Sequence, residues 1–486
     1  MRAGWVAKSA AALALLLAGR TASAFAPSEF AHFADILPTG GDAVAQFHSV
    51  QVTLDTAAMI AAGSLRADGS DLAVAWDTSG AGTWIELDAH LRPAPNTTLA
   101  GSSATQVWFA VPDPAGWLNA QSAARYRVYY GRPAAAPADR RRDGKQVYRF
   151  FDDFSGSALD AATWYVHPAY AAAVHVSGGV LQQDGALSPG PVWQGAPIRM
   201  TTQTAAGVPT VSVSYLTPFA VECRFRSLNL ADDVRPLSYL QHMSSPSQPN
   251  DHDEYTTFLK ANGAQSIRYV RVKDGVGALM SANPTTIAAG VWYDLRAAVR
   301  LTNATPGSEQ ALHALSLDGV PMGDSAAAPR GGYEPSITTG VVGIETDPGA
   351  MGEYDWFLIR DAAAVEPVTE PEPWLGLMAR ELPGGTEISW TSPGIGSSFD
   401  LIRGTLSGVA ASASWVGLGP VLCIADNTAA LSMDASQLDA SLPAAGEAYF
   451  YEVRVNGASG AAAGVGGYGV GTAGLRRVPS SGDCPP

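Results

Sequence analysis

Apolar and polar residues alternate with a period of two along most of this chain. Val50-Gln51-Val52-Thr53-Leu54, Val211 to Tyr215, Ile267 to Val272 and Tyr449 to Val455 all follow the pattern. Successive side chains of a strand point to opposite faces, so each run reads as a strand with one buried and one wet face. Turn dipeptides punctuate the runs: Asp68-Gly69, Asn262-Gly263, Asp274-Gly275, Asp318-Gly319 and Asn456-Gly457. Such pairs tolerate the left-handed backbone that tight hairpins need. Helical periodicity is nearly absent. The exception is Asp55 to Gly63, which opens on a capping aspartate and closes on a glycine, and it predicts one short helix. Strand after strand with so few helices implies an all-β chain built from packed sheets.

Two breaks in composition divide the chain. Residues 132–144 run Arg-Pro-Ala-Ala-Ala-Pro-Ala-Asp-Arg-Arg-Arg-Asp-Gly, and residues 366–373 run Glu-Pro-Val-Thr-Glu-Pro-Glu-Pro. The first reads as a polar linker whose Arg140-Arg141-Arg142 is a solvated hinge. In the second, repeated proline blocks both helix and central strand. The expected organisation is three tandem β-sandwich domains, 25–131, 146–362 and 374–486, joined by linkers 132–145 and 363–373. A length of 486 residues agrees with about three domains. Residues 1–24 read as a cleaved export signal: Arg2 and Lys8, an apolar run from Ala10 to Ala18, then Ala22-Ser23-Ala24. Secretion to the periplasm or cell exterior, without membrane insertion, is the expectation. A net charge of −15 argues against nucleic-acid partners and anionic membrane surfaces. An oxidising compartment predicts a disulfide between Cys423 and Cys484, with Cys223 left as a buried thiol.

Three stretches resemble known modules. Val52-Thr53-Leu54, Leu65 to Leu72, Trp84-Ile85-Glu86, Val107 to Pro112 and Tyr126 to Gly131 resemble, in that order, domain of unknown function 2341, a module of exported bacterial proteins. Phe151-Asp152-Asp153-Phe154-Ser155-Gly156, Gly343-Ile344-Glu345 and Tyr354 to Arg360 give residues 146–362 the look of a concanavalin-A-like jelly roll. That resemblance implies pairing of its first and last strands, and a structural Ca²⁺ where Asp153 would approach Asp355. Glu387-Ile388-Ser389-Trp390, Phe399 to Gly404 and Tyr449 to Gly457 make residues 374–486 similar to a fibronectin type III-like sandwich, with Trp390 in its core.

The jelly-roll resemblance raises glycan chemistry. Laminarinase-type hydrolases of this fold carry an E-x-D-x-x-E strand, whose spacing sets nucleophile and acid on one face. The nearest run here is Asn250-Asp251-His252-Asp253-Glu254-Tyr255-Thr256. Asp251 and Asp253 share a face, but Thr256 stands where the third carboxylate belongs, so the expectation leans away from catalysis. G-x-S-x-G, H-E-x-x-H, P-loop and C-x-x-C motifs are all missing from the sequence. The eight histidines are scattered and read as solvated, with His242 and His252 flanking the acidic run. Sugar rings stack on aromatic faces, which makes Trp193, Tyr239, Tyr255 and Tyr269 candidates for binding a polysaccharide or cell-surface glycan, together with Asp251 and Asp253. Core packing is the commoner use of such rings; Trp292 is assigned to the core outright. The leading expectation is a secreted, non-catalytic, carbohydrate-binding surface protein. The rivals are a glycan-active hydrolase or lyase using Asp251 or Asp253 with Glu254, and a purely structural matrix protein.

Overall fold

The computed structural model describes residues 25–38, 45–78, 82–113, 126–132, 141–187, 198–230, 233–243, 252–260, 265–274, 276–362, 369–371, 377–382, 385–390, 398–411, 415–428, 441, 443–444, 447–456 and 476–484. The export signal proposed for residues 1–24, and Trp193 and Asp251, lie outside the described residues. Strands dominate, and they gather into sandwich-like layers.

The first unit faces a three-stranded sheet (His48–Leu54, Thr105–Val111, Ala89–Arg92) against a five-stranded one (Thr369–Pro371, His32–Pro38, Tyr126–Tyr130, Ala73–Asp77, Trp84–Leu87). Val50 pairs with Phe109 and Val52 with Val107, and this phase of the alternation is buried against Val74 and Val128. The other phase, Gln51 opposite Trp108, points away from that core. The predicted helix forms over Thr56–Ala61, capped where Ala58 N donates to Asp55 Oδ1 at 2.8 Å. Thr369–Pro371, from the second Pro-rich segment, pairs with His32–Pro38 as an edge strand, where proline is tolerated. In the first linker Arg141 and Arg142 are not a solvated hinge. The Arg142 guanidinium donates to the carbonyls of Gly69 and Leu72, and Asp143 caps the short helix Gly144–Val147.

The central unit is an antiparallel sandwich of two eight-stranded sheets. Its first sheet runs Val174–Ser177, Val180–Asp184, Met351–Asp361, Phe219–Ser227, Tyr293–Asn303, Gln310–Leu317, Val320–Asp324, with Phe150–Asp152 also on Met351–Asp361. The second runs Val276–Pro284, Ser266–Lys273, His252–Lys260, Val234–Met243, Thr339–Thr346, Ile198–Thr201, Tyr165–Val166, with Ser212–Ser214 on Thr339–Thr346. Phe219, Val221, Cys223 and Phe225 face the interior together with Ile344, Phe357 and Ile359. Cys223 is a buried free thiol.

In the third unit Ser398–Thr405 lies between Trp415–Thr428 and Tyr449–Asn456, over a small core of Ile388, Phe399, Leu401 and Val453. Arg476–Ser481 runs parallel to Trp415–Thr428, with Trp415 opposite Arg476. This departs from an all-antiparallel sandwich. Cys423 and Cys484 are bonded, with Cα atoms 4.9 Å apart. Of Trp390 the backbone is described, in the strand Gly385–Trp390.

Candidate functional site

A cleft of about 520 Å³ opens where the first unit meets the central sandwich. One wall is the outer face of the three-stranded sheet, carrying Gln51, Gln106, Trp108 and Arg92. The opposite wall is the outer face of the first central sheet, carrying Glu222, Asp294, Arg296, Ser316 and Arg360, with the Asp318-Gly319 turn at one side. Both faces are second phases of alternating strands. Val221, Cys223 and Phe225 fill the sandwich core, which leaves Glu222 and Arg224 to face the first unit.

Ions and aromatics hold the floor of the cleft. Arg92 Nη1 donates to Glu222 Oε2 at 2.8 Å, and Arg360 Nε donates to Glu222 Oε1 at 2.7 Å. Arg224 grips Asp294 with two bonds, 2.6 and 3.0 Å, and donates to Pro93 O at 2.9 Å. The Arg92 guanidinium lies 4.2 Å from the Trp356 ring, and Arg360 lies 4.7 Å from Trp108. Nearby, Trp108, Val147, Tyr148, Phe151, Trp356 and Leu358 form one apolar cluster, and His90 Nδ1 pairs with Tyr148 OH at 3.0 Å. At the rim the Asn96 amide and the Trp292 backbone exchange two bonds, at 2.8 and 2.9 Å. Trp292 is therefore not a core residue: it is half-buried beneath Arg226, 4.4 Å from its ring.

Burial alone would raise the Glu222 carboxyl, but Arg360 and Arg92 outweigh it and hold the group down at about 2. Burial, reinforced by Arg92, pulls His90 down to about 3, so its ring is neutral at ordinary pH. Burial and the neighbouring Asp294 charge raise Asp318, against a hydrogen bond from the Asp294 backbone. The accessible part of the cleft thus joins amide, hydroxyl and guanidinium donors to amide, hydroxyl and carboxylate acceptors.

Three of the rings expected to be open to a sugar are not open. Tyr239, Tyr255 and Tyr269 are all 0% exposed inside the central sandwich. They surround His313, whose Nε2 meets Tyr215 OH at 2.8 Å and whose Nδ1 meets Tyr239 OH at 3.2 Å and also Tyr269 OH. Tyr255 OH donates to Gly332 O at 2.8 Å. A ring with no exposed face cannot stack on a sugar; these four side chains form a polar core. Burial pulls His313 down to about 3, so neither it nor His90 is a solvated histidine.

Asp253 and Glu254 are consecutive in a strand and point to opposite faces. Asp253 Oδ1 accepts from Asp274 N at 2.6 Å. Glu254 lies across the second sheet from Glu345, and Gln241 Nε2 donates to both, at 2.9 and 3.2 Å. Arg199 Nε also donates to Glu345, at 2.5 Å. Both glutamates are 0% exposed, so this network ties the sheet together rather than presenting a carboxylate pair to a glycan.

The seam implied for Ca²⁺ does form, with Phe357 opposite Asp152, but its residues do not fit the ion. Asp153 Oδ1 accepts from Ser155 N at 3.1 Å, and Asp355 lies 3.9 Å from the Arg224 guanidinium. Asp152 is engaged by Phe154 N and Trp164 Nε1. Ca²⁺ takes six to eight oxygens, and among the described residues no three His, Cys, Asp or Glu side chains gather for a metal.

Sequence reasoning missed Arg92, Trp108, Glu222, Asp294, Arg296 and Arg360. The available signal was a pair of strands, Phe219–Ser227 and Met351–Asp361, with large side chains in both phases. A strand that needs cover on both faces announces a second layer.

Comparison with known proteins gives a family match over part of the chain. Residues 77–167 match the domain of unknown function DUF2341. The matched stretch starts inside the first unit and runs through Tyr148 and Phe151 of the seam cluster into the central sandwich. Among curated proteins no relative matches. Similar solved structures include the carbohydrate-binding module CBM66 from Bacillus subtilis, at 11% identity and TM-score 0.29, covering 41% of this chain and 96% of that one. A lichenase derived from a mouse hindgut metagenome aligns at 12% identity and TM-score 0.30, covering 44% and 99%. The laminarinase catalytic domain from Thermotoga maritima aligns at 10% and 0.31, covering 44% and 98%. Overlaps this weak leave function to be read from the residues themselves. Among the described residues no helix is long and apolar enough to cross a membrane.

Proposed function

We propose that this is an exported carbohydrate-binding protein that takes a polysaccharide or cell-surface glycan into the cleft between its first two units, without cleaving it. The observation that carries this reading is the lining of the cleft. Gln51, Gln106, Ser316, Arg296, Asp294 and Asp318 place donors and acceptors on two facing walls. A sugar hydroxyl both donates and accepts, so a lining of mixed, planar hydrogen-bonding groups suits it. With Tyr239, Tyr255 and Tyr269 inside the core, the cleft recognises a sugar through these bonds rather than through those rings. Glu222, held at about 2 by its arginines, does not suit the part of a glycosidase acid, which must hold its proton near working pH.

The test is a glycan array probed with the intact protein, the Gln51→Ala and Arg296→Gln variants, and EDTA. Saturable binding, weakened about tenfold by either substitution and insensitive to EDTA, is the expected result on the scale of lost buried hydrogen bonds. Absence of binding, or binding indifferent to both substitutions, overturns the assignment. Loss on chelation would restore the calcium-dependent reading.

A further inference from the structure

The charges around the cleft carry one step more, resting on the assignment of the cleft as a glycan site. Three arginines line it, Arg92, Arg296 and Arg360, against three carboxylates, Glu222, Asp294 and Asp318. All three arginines pair with Glu222, and two of them are buried. Arg92 and Arg360 donate to the two oxygens of Glu222 and are 5% and 1% exposed as side chains. Asp294 is held by both bonds of Arg224. The most accessible charges are Arg296, 31% exposed and 3.8 Å from Glu222, and Asp318 on its exposed turn. They are of opposite sign, so the open part of the cleft has no net charge to offer an ion.

We infer that the cleft selects uncharged glycans and rejects uronate and sulfated ones. An anionic group entering beside Arg296 would also approach Asp318, and the charge-assisted bond it gained would be offset by repulsion inside a weakly screened cleft. The whole molecule adds to this. A net charge of −15 disfavours the approach of polyanions at low salt. A neutral glycan feels neither effect and depends on the amide, hydroxyl and guanidinium hydrogen bonds alone.

The experiment is a panel of soluble neutral glycans, each paired with its sulfated or carboxymethylated counterpart, titrated against the intact protein at low and high NaCl. Neutral members should bind with affinities that change less than about twofold with salt, and charged counterparts at least about tenfold more weakly at low salt, the gap narrowing as salt screens. Asp318→Asn keeps an acceptor toward Asp294 N, where the native carboxylate bonds at 2.7 Å, and removes one negative charge. It should shift the charged-to-neutral affinity ratio about fivefold toward the charged glycan. Equal or tighter binding of the charged partners, or a ratio that Asp318→Asn leaves unmoved, overturns this inference while the glycan site stands. Failure of every neutral and charged member to bind overturns the site and the inference with it.

Discussion

Glu222 is 3% exposed and receives two guanidinium donors. Glu222→Gln would remove the counter-charge that Arg92 and Arg360 share, leaving Arg92 the more distant Asp294 at 3.6 Å, a loss of about 3–5 kcal/mol by the usual effect of breaking a buried pair. Urea unfolding of the variant at pH 7 measures it. The pH dependence follows from signs. The Glu222 carboxyl titrates at an ordinary 4.5 unfolded and about 2 folded, so its contribution is complete above pH 4.5 and drains away as pH falls towards 2. His90 and His313 act in a higher window. Their ordinary value is 6.5 and their folded value about 3, so the unfolded chain gains protons that the folded one refuses. Stability should therefore start to fall below pH 6.5, by up to about 1.4 kcal/mol per pH unit for each histidine, until pH 3. A urea midpoint unchanged between pH 7 and pH 4 would refute this. None of these residues was legible from spacing, because each acts through a partner more than 50 positions away, as Glu222 does with Arg92. The tyrosines were legible as strand residues, but their phase was not: Tyr239, Tyr255 and Tyr269 share the inward face with the aliphatic core.

Strands were the scale at which sequence spoke most clearly. The quoted runs at Val50–Leu54, Ile267–Val272 and Tyr449–Val455 all fall within strands, and the helix after Asp55 forms. Pairing was less legible, because period two fixes a strand's faces and says little about its neighbour. Arg476–Ser481 shows this: nothing local marks it as the parallel partner of Trp415–Thr428. The Cys423–Cys484 bridge anchors this strand just after its C-terminal end, across a separation of 61 residues. Closing a loop of that length limits the unfolded chain by about 4 kcal/mol in the chain-entropy model. Cys484→Ser should lower the stability of the third unit by about that much, and faster hydrogen exchange confined to residues 415–428 and 476–481 would locate the effect. An unaltered exchange pattern would show that the strand holds without its tether.

At the scale of the whole molecule, the first two units share a buried interface of ions, aromatics and backbone bonds, including Ser49 Oγ to Val147 O at 2.6 Å. Coupling of that kind predicts one calorimetric transition for the two units and a later or earlier one for the third. Glu222→Gln should split the first transition in two, since units without mutual support unfold at their own temperatures. A single unsplit transition in the variant would place the coupling elsewhere. The burial of the first two units against each other was not legible in the sequence, because the seam draws together residues far apart along the chain, as Arg92 and Glu222 do. The seam also bears on how such proteins diversify. A recombination breakpoint between residues 132 and 145 would part Arg92 from both Glu222 and Asp294, leaving it an unmatched charge on a face meant to be covered, while Glu222 in the other descendant would keep Arg360 and Arg296. A gene that borrowed the first half alone would therefore inherit an instability along with it.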